Sequence, residues 1–135
     1  MPTELIHTMI RVLDEARSLA FYTAFGFEER GRKRVGGDTA TVIFLALPGD
    51  GARLELTLND GRTEPYEVGE GYGHIAVVAD GGVDAEIARL EAVGIAPEKP
   101  PYAPYPGGPQ ICFFRDPDGY RIEMLDINPE ADLGH

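Results

Sequence analysis

The chain repeats itself, and that narrows its possible folds more than any other feature. His7 returns as His74, at an offset of 67. At an offset of 68, Ala24-Phe25-Gly26-Phe27 returns as Ala92-Val93-Gly94-Ile95, Asp50-Gly51 as Asp118-Gly119, and Arg53-Leu54-Glu55-Leu56 as Arg121-Ile122-Glu123-Met124. Four matches in one order, at nearly one spacing, mark two copies of a unit about half the chain long. Two copies are too few for a solenoid, which needs at least three units to bury its core. The expectation is a single domain over residues 1–135 with pseudo-repeat halves at about 5–60 and 72–127. The acidic, glycine-rich stretch Asn59 to Gly73 joins them.

The unit can be read in outline. Leu5 to Val12 is apolar and β-branched, a strand ended by Leu13-Asp14. Asp14 is placed to cap a helix through about Phe25, with Gly26 as its stop. Extended runs follow at Phe27 to Lys33, Thr41 to Leu47 and Arg53 to Asn59, parted by Gly, Asp and Pro turns. The second copy opens with a strand at His74 to Val78. A helix then runs from Val83 to Val93, with Val83, Ile87 and Leu90 on one face and Gly94 as its stop. Strands at Ile111 to Arg115 and Tyr120 to Ile127 close the chain, so βαβββ is read twice and the class is α+β. Residues Pro97 to Pro109 hold six of the eleven prolines and read as a stiff loop.

Composition sets limits on partners. Twelve Lys and Arg against 23 Asp and Glu leave a net charge of −11, which repels nucleic-acid phosphates and anionic lipid. No apolar run nears the roughly 20 residues that span a bilayer. The Met1-Pro2-Thr3-Glu4 start does not open a secretory signal. The single cysteine, Cys112 between Ile111 and Phe113, excludes an intrachain disulfide, reads as a small buried hydrophobe and fits a reducing cytoplasm.

The polar residues at matched positions carry the chemistry. Of three histidines, His135 is the last residue and has no expected role; His7 and His74 occupy equivalent strands, as do Glu55 and Glu123. Strand side chains alternate faces, so Glu55, Thr57 and Asn59 share one face and Leu54, Leu56 and Leu58 the other. On the first strand His7, Met9 and Arg11 share a face. Two imidazoles and two carboxylates, displayed on one side of a sheet, make a divalent-metal site. A mixed N/O set is poorly matched to a closed structural zinc site and leaves room for water or substrate. A lone glutamate between leucines is equally the solvent face of an edge strand, and His7 alone an ordinary strand histidine; recurrence in both halves favours the ligand reading. Gly69 to Gly73 lacks dinucleotide-loop spacing, Asp116-Pro117-Asp118-Gly119 reads as a tight turn, and Phe113 and Phe114 read as core.

Five segments, His7-Thr8-Met9-Ile10-Arg11-Val12, Phe21-Tyr22-Thr23 with Gly26, Leu54-Glu55-Leu56-Thr57-Leu58-Asn59, Gly73-His74-Ile75-Ala76 and Asp116 to Glu123, together resemble glyoxalase I (lactoylglutathione lyase) of the vicinal oxygen chelate superfamily, over residues 7–125. The resemblance implies paired βαβββ modules forming a half-open mixed β-barrel around a metal, in a cytoplasmic homodimer that often shares the site between subunits. It implies His7, Glu55, His74 and Glu123 as ligands of a divalent cation, Ni²⁺ first, with Co²⁺ or Zn²⁺ as alternatives. The implied reaction isomerises the methylglyoxal–glutathione hemithioacetal to S-lactoylglutathione by proton transfer through an enediolate, with Glu123 as principal base and Glu55 as its counterpart. Arg11 and Asn59 match positions that hold glutathione, and strand alternation places both on the site-facing side. The loop region Pro104 to Pro109 lacks the family's lysine; the nearest is Lys99. Other readings are a CoA-thioester epimerase, a thiol transferase or a lyase using another thiol on the same ligands, or a metal-free small-molecule binding or resistance protein.

Overall fold

A computed structural model of the chain describes residues 2–131 and 133, so the expectation about His135 lies outside the described residues. The chain divides into two compact units, Met1–Glu67 and Val68–His135, and the division falls within the joining stretch.

In the first unit the order is β1 (Thr8–Arg11), α1 (Glu15–Ala24), β2 (Glu28–Val35), β3 (Ala40–Ala46) and β4 (Leu54–Asn59). The strands form a four-stranded sheet ordered β1-β4-β3-β2. β1 runs parallel to β4, as a crossover through a helix requires, and β2, β3 and β4 are joined antiparallel. Asp14 caps α1 as its sequence position predicts, its carboxylate accepting from the Arg17 N–H at 2.9 Å. Gly26, at φ 105°, turns the chain out of the helix. Cross-strand register stacks Ile10 against Leu56 against Ile43, and Leu54 against Leu45, all buried. That aliphatic face is the core of the unit. β1 is shorter than expected: Leu5 and Ile6 lie outside it and are 78% and 69% exposed.

The second unit is β5 (Ile75–Val78), α2 (Val83–Glu91), β6 (Ile111–Arg115) and β7 (Arg121–Leu125), with a three-stranded sheet ordered β5-β7-β6. Ile122 faces Phe114 and Met124 faces Cys112 in the β6–β7 ladder, and all four are buried. The expected fourth strand of this copy is not formed. In its place the proline-rich segment runs beside β6 with a single bridge, Tyr102 to Ile111. It makes three backbone hydrogen bonds there: Glu98 N–H to Phe113, Tyr102 N–H to Ile111, and Ile111 N–H back to Tyr102. Prolines at 97, 100, 101, 104, 106 and 109 each lack the N–H that a ladder uses and break the run of donors. The strands thus fall into two open sheets, of four and three strands, and no closed barrel forms among the described residues.

Candidate functional site

In the first unit β4 is an interior strand, flanked by β1 and β3, which removes the edge-strand reading of Glu55. Its paired neighbours are Met9 and Phe44. His7 lies just before β1, two residues upstream of Met9, and its Nε2 stands 2.9 Å from Glu55 Oε2. The Glu55 side chain is 13% exposed, so this carboxylate is sheltered although it lies on the face opposite the aliphatic core. Phe44 meets the His7 ring edge-on at 6.3 Å. Further along the same face, Arg11 pairs with buried Thr57, and Asn59 ends the strand opposite Ala40. His7, Arg11, Glu55 and Asn59 are therefore four residues of one sheet face.

The second unit repeats the arrangement. β7 is the central strand, and Glu123 lies between Ala76 of β5 and Phe113 of β6. His74 precedes β5 by one residue and Ala76 by two, and its Nε2 is 3.4 Å from Glu123 Oε1. Phe113 meets the His74 ring edge-on at 5.2 Å. The turn before β7 sets this register: Asp116 Oδ1 accepts from the N–H groups of Asp118 and Tyr120, each at 2.9 Å. Gly119 takes φ 94° there, so the Asp116–Gly119 turn is the tight turn its sequence predicts. A cavity of about 520 Å³ opens at this pair, lined by His74, Ala76, Val78, Glu123 and Leu125, within the size range of small-molecule sites.

Phe113 is buried, as its sequence predicts, but sequence reasoning placed neither it nor Phe44 beside a site glutamate. Phe44 and Phe113 each stand directly across an antiparallel pair from a site glutamate. Phe113 also carries the Arg121 guanidinium 3.9 Å above its ring. The signal was present in the offset of 69 between them, but cross-strand register shows their role and a linear repeat does not. Arg121 and Arg115 bring positive charge to the same face, and both are engaged by Glu98 from the proline-rich segment. Arg121 binds it through Nε and Nη2 at 3.1 and 3.0 Å, which holds the Glu98 carboxyl below the usual carboxylate range. Burial pushes the Tyr72 phenol up to about 12, and its hydroxyl donates to the Arg121 carbonyl at 3.0 Å.

The structure brings His7 to Glu55 and His74 to Glu123; among the described residues no cluster of three or more His, Cys, Asp or Glu side chains forms. Each pair offers an imidazole nitrogen and a carboxylate oxygen, borderline and hard donors that suit a divalent transition metal. By donor chemistry the residues present fit such a cation.

Residues 4–124 match the Glyoxalase/Bleomycin resistance protein/Dioxygenase superfamily. The chain is 39% identical over 131 residues to the lactoylglutathione lyase of Salmonella typhimurium, covering 90% of this chain and 91% of that protein. It resembles the structure of a trypanothione-dependent glyoxalase I from Leishmania major, with a TM-score of 0.75, 36% identity, and coverage of 93% of this chain and 87% of that one. Against glyoxalase I from Zea mays the TM-score is 0.79 at 28% identity; the match covers 91% of this chain but only 44% of the maize chain.

Proposed function

Because the chain belongs to the Glyoxalase/Bleomycin resistance protein/Dioxygenase superfamily, we propose that it is an isomerase of the lactoylglutathione lyase type, converting the methylglyoxal–glutathione hemithioacetal to S-lactoylglutathione. The observation that carries this reading is the recurrence of one His–Glu pair at equivalent places in both units. His7, Glu55, His74 and Glu123 are the residues that hold a divalent cation, Ni²⁺ in preference to Co²⁺ or Zn²⁺. A divalent cation supplies electrophilic polarisation of the substrate carbonyl, which acidifies the neighbouring C–H.

The chain's own groups do the rest. Glu123 takes the proton from the carbon bearing sulfur and returns it to the adjacent carbon, with Glu55 as its counterpart. The shelter of both carboxylates from solvent, at 13% and 15% exposure, favours return of that proton to substrate rather than its loss to water. Arg11 binds a carboxylate of the thiol, and Asn59 an amide. Both units act as one functional domain, and the protein works as a homodimer; Leu5 and Ile6, exposed beside His7, are the apolar surface that supports association. No described helix is long and apolar enough to cross a membrane. The cytoplasm is the proposed location, since the hemithioacetal forms there from the thiol pool.

A second reading, with a thiol other than glutathione, is favoured by the cation pattern. The proline-rich segment has no lysine beyond Lys99, and Arg115 and Arg121 are already bound by Glu98. The deciding experiment strips the protein with chelator, adds back Ni²⁺, Co²⁺ or Zn²⁺ separately, and follows isomerisation of methylglyoxal adducts of glutathione and of a less anionic thiol. Recovery with Ni²⁺ or Co²⁺ on the glutathione adduct supports the reading; recovery only with the other thiol selects the second; no recovery with either rejects both.

A further inference from the structure

An asparagine side chain ends in a nearly two-fold torsion, so an unheld amide at the end of a strand presents its oxygen and its nitrogen in turn. Asn59 is held. The Tyr66 phenol donates to Asn59 Oδ1 at 3.1 Å. Tyr66 is itself fixed, because the Arg62 guanidinium lies over its ring, 4.2 Å from the centroid. That guanidinium is anchored in turn: Nε donates to the Glu64 carbonyl at 2.7 Å and Nη2 to the Pro65 carbonyl at 3.0 Å. The loop returns on its own strand, with the Arg62 N–H donating to the Asn59 carbonyl at 3.3 Å and Gly61 at φ 74° allowing the turn. Beside it, the Asp60 N–H donates to the Thr39 carbonyl at 3.0 Å and its carboxylate takes the Arg34 guanidinium.

We infer that Tyr66 is a positioning residue that fixes the polarity of Asn59. The phenol takes one lone pair of Oδ1 and so fixes which way the amide faces, which leaves the Nδ2 amide group, with two donors and no acceptor, to meet a ligand. Asn59 then selects an acceptor on the thiol substrate, an amide carbonyl or carboxylate oxygen, and disfavours thiols that lack one. This inference rests on the reading of Asn59 as a substrate-binding residue.

The test compares wild type, Asn59→Ala, Tyr66→Phe and the double variant, measuring kcat and KM for the methylglyoxal–glutathione adduct and the Asn59 side-chain amide signals by ¹⁵N NMR. Tyr66→Phe keeps the ring beneath Arg62 and removes only the donor. The expected result is a KM raised about fivefold with kcat within about twofold, a shifted and broadened Asn59 amide pair, and no further loss when Tyr66→Phe is added to Asn59→Ala. Active wild type with an unchanged KM in Tyr66→Phe, or additive losses in the double variant, overturns the inference alone. Wild type inert toward the adduct overturns the proposed function and with it the substrate half of this inference; the amide signals still report whether Tyr66 holds Asn59.

Discussion

Phe44 stands directly across the β3–β4 ladder from Glu55, and its ring meets the imidazole that Glu55 contacts. The carboxylate is thus bounded by an aromatic wall on one side and Met9 on the other. Phe44→Leu keeps an apolar strand residue but withdraws that wall. We expect kcat/KM to fall roughly tenfold with little loss of fold, measured by steady-state kinetics beside thermal unfolding.

Glu123 carries the proton in the proposed reaction. Glu123→Gln keeps the shape and one acceptor oxygen but cannot accept a proton. Turnover should fall by about 10² to 10⁴ with Tm little changed; activity near that of wild type would take Glu123 out of the base role.

If each catalytic centre combines the first unit of one protomer with the second of its partner, two dead variants should rescue each other. Glu55→Gln and Glu123→Gln subunits, unfolded together and reassembled, would place both changes in one centre and leave the other intact. Random pairing then restores about a quarter of wild-type activity. No rescue would assign each centre to a single chain.

Glu98 makes the second unit sensitive to acid. The hydrogen bonds from Arg121 depress its carboxyl below the ordinary glutamate value of 4.5. A depressed carboxyl stabilises the fold fully above that ordinary value and loses the contribution as pH falls through its folded value. Wild type should therefore lose Tm more steeply than Glu98→Gln below pH 4.5, a difference that scanning calorimetry across the acid range reads directly. The two curves should run parallel above pH 6.

Cys112 is fully buried in β6, and burial pushes its thiol up to about 11. At pH 8 the thiolate that reacts with disulfide reagents is scarce, and the sulfur is screened. Labelling of the folded protein should be at least about a hundredfold slower than labelling in denaturant. Fast labelling of native protein would contradict the packing of Cys112 against Met124.

Much of this was legible in the sequence. The repeat pairs His7 with His74 and Glu55 with Glu123, and strand alternation puts Arg11 on the His7 face of its strand and Asn59 on the Glu55 face of its own. The cap at Asp14, the stop at Gly26 and the Asp116 turn follow local rules and stand as expected. Other features depend on which strand lies beside which. The interior position of β4 and β7, and the facing of Phe44 and Phe113 on the glutamates, are properties of register, which a single strand's pattern does not contain. The short second sheet was foreshadowed by six prolines, yet the repeat argued for a fourth strand; missing N–H donors outweighed the symmetry. Tyr66 escaped notice because its role arises from a turn that brings residue 66 back to residue 59.

The proline-rich segment gives the second sheet two unlike borders. Along β6 it lays a strip of backbone that holds three hydrogen bonds and, broken by six prolines, is a poor template for a further strand. β5 forms the other border of the sheet. Growth of this sheet by strand addition is therefore hindered along β6.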